Sequence, residues 1–139
     1  GELSRSYEFY DDLQILANVK LVPVDTSPFE LIDNAKAIAT ITSNTGFEAI
    51  ARGIPVLTFG HAWYNGCEGV SYVQTAEECR EALESIQNGY TIDDDKVKLF
   101  MYALEKTSIR AFLYTKIKGN VNISDEESIR VFMDALRKI

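Results

Sequence analysis

Residues 37–60, AIATITSNTGFEAIARGIPVLTFG, decide the fold. The first six, AIATIT, are nearly all apolar or β-branched, as expected of a strand covered on both faces. A polar turn follows. Residues 45–52 then predict a helix stopped by Gly53, because glycine takes the left-handed conformation that ends helices. Ile54 and Pro55 restart the chain, and residues 56–59 predict a second buried strand ending at Gly60. A strand, a helix and a strand in so short a span form the crossover unit of a parallel sheet.

On the amino-terminal side, Leu3, Tyr7, Tyr10, Leu13 and Leu16 or Ala17 recur at helical spacing, predicting an amphipathic helix over 3–17. Residues 19–24, VKLVPV, read as a short strand whose pairing is limited by Pro23. Ser27, Pro28 and Glu30 form a helix-start pattern, with Leu31, Ile32 and Ala35 as its buried face. On the carboxyl side, the loop 61–69 leads to a weaker strand at 70–73. Thr75 and Glu78 open a helix that would bury Cys79, Leu83 and Ile86 before Asn88-Gly89 ends it. A long helix is expected over 93–114. Ser124 and Glu127 open a last one, with Ile129, Phe132, Leu136 and Ile139 on one side. The expectation is therefore one α/β domain over 1–139: a three-layer Rossmann-like unit with a small, mostly parallel sheet of four strands and helices on both faces. Residues 91–139 form its C-terminal helices. Four strands are few for a nucleotide-binding fold, so the chain reads as a piece of something longer.

Composition narrows the function. A net charge of −7 with no basic stripe argues against nucleic acid, whose phosphates demand clustered Lys and Arg. No apolar run approaches a membrane span. Cys67 and Cys79 have no histidine pairs nearby, so free thiols in a reducing cytoplasm are expected rather than a zinc site. Asp93-Asp94-Asp95 resembles a metal cluster but sits at a helix start, where acidic residues are favoured. No metal and no cofactor are expected. Any anionic ligand would be held by backbone amides and hydroxyls.

Ligands of open parallel sheets bind beyond the carboxyl ends of the strands. Two polar loops fall there: Thr42-Ser43-Asn44-Thr45-Gly46 and Gly60-His61-Ala62-Trp63-Tyr64. Gly46 lacks a β-carbon and could admit a phosphate close to the backbone. A plain helix cap by Ser43, Asn44, or Thr45 with Glu48, reads equally well. Glu48 either accepts hydrogen bonds from a sugar hydroxyl or reaches back to Thr45. His61, the sole histidine, is placed to contact a phosphate or to pack the loop. Trp63 and Tyr64 either cover that loop or stack on a base or sugar. Arg52, near the helix's end, complements its dipole. No GxGxxG or Walker pattern occurs.

The stretch NVKLVPVDTSPFELIDNAKAIATITSNTGFEAIARGIPVLTFGHAWYNGCEGVSYV resembles the donor-binding half of two-domain, GT-B type glycosyltransferases. Within these it is most similar to the bacterial capsular polysaccharide biosynthesis proteins, which include CMP-Kdo-dependent transferases. The likeness covers about residues 18–88 and rests on LIDNAKAIATITS, a Thr-Gly-x-Glu-Ala helix start, the GIPVLTFG strand and an aromatic loop. It implies that Ser43, Asn44, Thr45 and Gly46 hold the donor phosphate. Glu48 would fall among the donor-site residues, and Gly60, His61 and Tyr64 would line the opposite wall. The His-Pro pair that precedes the 18–24 strand in this family has no counterpart here, nor does the acceptor-binding half that supplies the catalytic base; the catalytic residues are unknown. The implied protein acts in the cytoplasm, peripheral to the inner membrane in its intact form. It takes a nucleotide-sugar donor, with a leaning to a CMP-sugar because basic residues are scarce at the loop. The alternatives are a non-hydrolysing nucleotide-sugar 2-epimerase-like domain and a non-catalytic α/β binding module.

Overall fold

The computed structural model describes residues 6–111 and 122–137. Its elements run α1 (Tyr7–Ile15), α2 (Pro28–Asp33), β1 (Ile38–Thr40), α3 (Asn44–Ile50), β2 (Val56–Thr58), β3 (Val70–Tyr72), α4 (Ala76–Gln87), α5 (Asp94–Thr107) and α6 (Asp125–Leu136). The strands form one parallel sheet in the order β1-β2-β3, with Thr40 opposite Thr58 and Thr58 opposite Tyr72. This is a small Rossmann-like α/β domain with helices around its sheet.

The central strand explains the core. Val56, Leu57 and Thr58 are all buried, so β2 is covered on both faces, as its unbroken apolar run requires. Val56 belongs to one core cluster with Ile32 of α2, Ala49 and Ile50 of α3, and Ala62, Tyr64 and Cys67 of the following loop. Val97 and Phe100 of α5 lie against the same cluster. Gly53 adopts φ 76° and ends α3; Gly89, at φ 88°, follows the end of α4.

The structure corrects several expectations. Residues 19–24 form no strand; they lie exposed, and among the described residues the sheet has three strands rather than four. Strand propensity depends on context, and residues 19–24 pair with no strand among the described residues. The first helix forms behind a Ser6 cap but buries none of its residues. Helix α5 ends at Thr107, and Phe112 lies outside the described residues. In α6 the covered face is one position off the expected one: Ser128 is buried and Phe132 half-buried, whereas Ile129 and Leu136 are exposed. In α4, Cys79 and Ile86 are half-buried while Leu83 is exposed.

Four capping-box pairs were legible, Ser27–Glu30, Thr45–Glu48, Thr75–Glu78 and Ser124–Glu127, but the described residues form one in full. Thr75 Oγ1 accepts from the Glu78 N–H, and the Glu78 carboxylate accepts from the Thr75 N–H. At Ser124 the serine half of the box is made. Ser27 makes no side-chain cap bond, and α2 starts on its proline instead.

Candidate functional site at the carboxyl edge of the sheet

Because β1 and β2 are parallel and in register at their last residues, the loops that follow them emerge side by side. Gly60 fixes their separation. A β-carbon there would meet Ile41 Cγ2 at 2.9 Å and Thr42 Cγ2 at 3.0 Å, so only glycine lets the second loop pass so close to the first. Asn65 holds this turn from below: its Oδ1 accepts from the buried Thr58 hydroxyl at 2.9 Å, and its Nδ2 donates to the Gly60 carbonyl at 3.0 Å. Sequence reasoning passed over Asn65. An asparagine flanked by glycine reads as generic loop chemistry, and only the fold brings it beneath residues 58 and 60.

The first loop is capped by Ser43 rather than by a Thr45–Glu48 box. Ser43 Oγ accepts from the Thr45 N–H at 3.2 Å and donates to Thr45 Oγ1 at 3.0 Å. The Ser43 N–H is taken by Thr40 Oγ1 at 3.2 Å. Glu48 is half-buried and its carboxylate has no hydrogen bond or ion pair among the described residues, so it does not reach back to the helix start. Ser43 and Asn44 are exposed and Thr45 partly so. The Asn44 N–H has no acceptor among the described residues, as befits the first turn of a helix.

The aromatic loop closes over the start of α3 from the other side. Tyr64 is fully buried, and its hydroxyl donates to the Ser43 carbonyl oxygen. Burial pushes the Tyr64 phenol above its ordinary pKa, so it remains a donor. Gly46 lies beneath this ring: a β-carbon on it would sit 2.9 Å from Tyr64 Cζ. Trp63 is half-exposed, packs at a tilt against Phe47 with ring centroids 4.6 Å apart, and donates from Nε1 to Asn44 Oδ1 at 3.1 Å. Trp63 and Tyr64 therefore cover the loop. Of the residues singled out from sequence, Ser43, Asn44, Thr45, Gly60 and His61 gather at one sheet edge, while Gly46 and Tyr64 form the packed layer under it.

His61 is exposed and turns toward β3. Its Nε2 lies 3.3 Å from the Tyr72 hydroxyl, which also accepts from Gln74 Nε2 at 3.3 Å. Beyond this chain is a cleft of about 580 Å³ lined by Phe59, Tyr72, Gln74, Thr75 and Cys79 among others. The cleft was not legible in sequence, since it arises where the end of β2 and the start of α4 flank β3.

Other features are structural. Arg52 pairs with Asp33 at 2.6 Å and lies over the Phe29 ring, joining α2 to α3. Asp93 caps α5 through the Asp95 and Lys96 amides, and no cluster among the described residues could hold a metal ion. Both cysteines are free thiols.

A family model described as "Capsule polysaccharide biosynthesis protein" matches residues 5–114, most of the chain. The chain belongs to that family. Membership supports a role in bacterial capsule polysaccharide synthesis. The chain is also 42% identical over 48 residues to the capsule polysaccharide modification protein LipA of Neisseria meningitidis serogroup A, and equally to that of serogroup B. Each alignment covers 34% of this chain and 7% of the relative, so the chain spans a small part of the curated proteins it matches. No solved structure matches it. No helix among the described residues is long and apolar enough to cross a membrane.

Proposed function

We propose that this capsule-family chain is the donor nucleotide-sugar binding domain of a glycosyltransferase, one half of a GT-B type enzyme acting in the cytoplasm at the inner membrane. The observation that carries this reading is the shared edge: the Ser43–Asn44–Thr45 turn and the Gly60–His61 turn emerge from adjacent parallel strands. Ligands of parallel sheets bind at that edge. There the Asn44 amide and the Thr45 hydroxyl offer donors to a phosphate, the Ser43 hydroxyl joins them once it turns from Thr45 Oγ1 to the ligand, and His61 adds an imidazole. Helix α3 has only seven residues, so its dipole adds little and the hydroxyls matter more. Glu48 contributes an unpaired carboxylate one turn along, suited to accept from a ribose or sugar hydroxyl.

No lysine or arginine belongs to either turn, which favours a single-phosphate CMP-sugar over a diphosphate donor. Transfer would proceed with donor-site groups stabilising the departing phosphate, while a base from an acceptor-binding domain elsewhere in the intact protein activates the acceptor. Calorimetry on the full-length protein tests this. Ser43→Ala and Thr45→Ala should each weaken CMP binding by about threefold to tenfold, the loss of one hydrogen bond. CMP binding unchanged in both variants would remove the reading.

A further inference from the structure

The cleft beside β3 differs chemically from the Ser43–Thr45 turn. Its lining combines the aromatic side chains of Phe59 and Tyr72 with the Gln74 carboxamide and the Thr75 hydroxyl, and no Lys or Arg is part of it. Phe59 is half-exposed although it directly follows the buried strand β2. A negative charge sits at its rim. The Glu78 carboxylate accepts from the N–H groups of Gln74, at 2.7 Å, and Thr75, at 3.0 Å, on the loop that forms the cleft's rim. The amides of Gln74 and Thr75 are thus already occupied by an internal anion, and a phosphate or carboxylate ligand would meet Glu78 with no Lys or Arg in the lining to compensate.

We infer that this cleft is a second subsite, for a neutral sugar residue of an acceptor or growing glycan. Its volume of about 580 Å³ suits one or two pyranose rings. An uncharged sugar presents an apolar C–H face to an aromatic ring and hydroxyls at its rim. Phe59 and Tyr72 supply the first contact, and the Gln74 carbonyl oxygen, which has no partner among the described residues, supplies an acceptor for the second. His61 links the two sites, since its ring contacts Tyr72 at a centroid distance of 5.2 Å while its backbone belongs to the donor-side loop. The inference extends the donor-domain reading but depends on different residues.

Cys79 lines the cleft and is half-buried, whereas Cys67 is buried in the core, so alkylation reports occupancy with an internal control. The full-length protein would be treated with iodoacetamide, and the peptides carrying Cys79 and Cys67 followed by mass spectrometry. Neutral maltotriose and lacto-N-tetraose serve as probes, with sialyllactose and CMP as anionic comparisons. At least one neutral probe should slow Cys79 labelling, about threefold when present at twice its Kd by mass action, with Cys67 unchanged. Phe59→Ala and Gln74→Ala should each abolish that protection while CMP still binds. Absence of protection by both neutral probes, or equal protection by an anionic probe, would overturn the inference. CMP binding is read separately by calorimetry, so failure of the donor site and failure of this cleft are distinguishable.

Discussion

The hydroxyl of Tyr64 donates to the carbonyl oxygen of Ser43, tying the aromatic loop to the first residue of the α3 cap. The fully buried ring lies where a Gly46 side chain would project. A packing constraint and the candidate phosphate turn therefore share one backbone segment.

Gly46→Ala should destabilise the fold by roughly 1–3 kcal/mol, the usual cost of overpacking a filled site. Tyr64→Phe should cost about 1 kcal/mol through the lost hydrogen bond. Urea denaturation of the two variants and their combination measures the coupling. The double variant should be less destabilised than the sum, because removing the hydroxyl relieves the closest contact. Strict additivity would show that the ring does not press on Gly46.

Asn65→Ala should cost about 1–3 kcal/mol, since it leaves the buried Thr58 hydroxyl without its acceptor. Thr58→Val in that background should recover part of the loss by removing the stranded group. Thermal denaturation with both single variants and the pair checks this.

The Glu78 carboxyl is held below the usual carboxylate range by bonds from the Gln74 and Thr75 amides. A carboxylate whose folded pKa is depressed adds stability above its unfolded pKa of about 4.3 and loses it as pH falls through the folded value. Glu78→Gln should therefore lower stability at neutral pH, and the gap to wild type should close in acid below that range. Denaturation midpoints followed from pH 7 downward check the sign.

Burial, and then the charge of Glu68, push the Cys67 thiol above its ordinary pKa, while Cys79 is partly open to solvent. A thiolate is the reactive form, so a disulfide reagent should modify Cys79 first and Cys67 only on unfolding. Equal rates in the native protein would contradict the core assigned here.

Much of this was legible in the sequence because local chemistry and tertiary context agree between residues 37 and 60. The apolar runs at Ile38 and Val56 became strands, Gly53 ended the helix, and Thr75 with Glu78 closed its box. Residues 19–24 were misread because strand propensity carries no information about whether a neighbour exists. The face of α6 was misread because large apolar side chains at Ile129 and Leu136 suggested burial, while Ser128 is the residue at the contact. At the site, sequence placed Ser43, Asn44, Thr45, Gly60 and His61 on one edge. It could not show that Gly46 is spent on Tyr64, a contact between distant positions, nor that Asn65 braces the turn, which depends on how its loop folds back on Thr58 and Gly60.

The most direct measurement is a 15N–1H titration of the chain with CMP. The account predicts amide shifts concentrated at residues 43–48 and 60–61, saturating together, with the 72–79 cleft unmoved. Shifts scattered over the surface, or none at millimolar CMP, would contradict it.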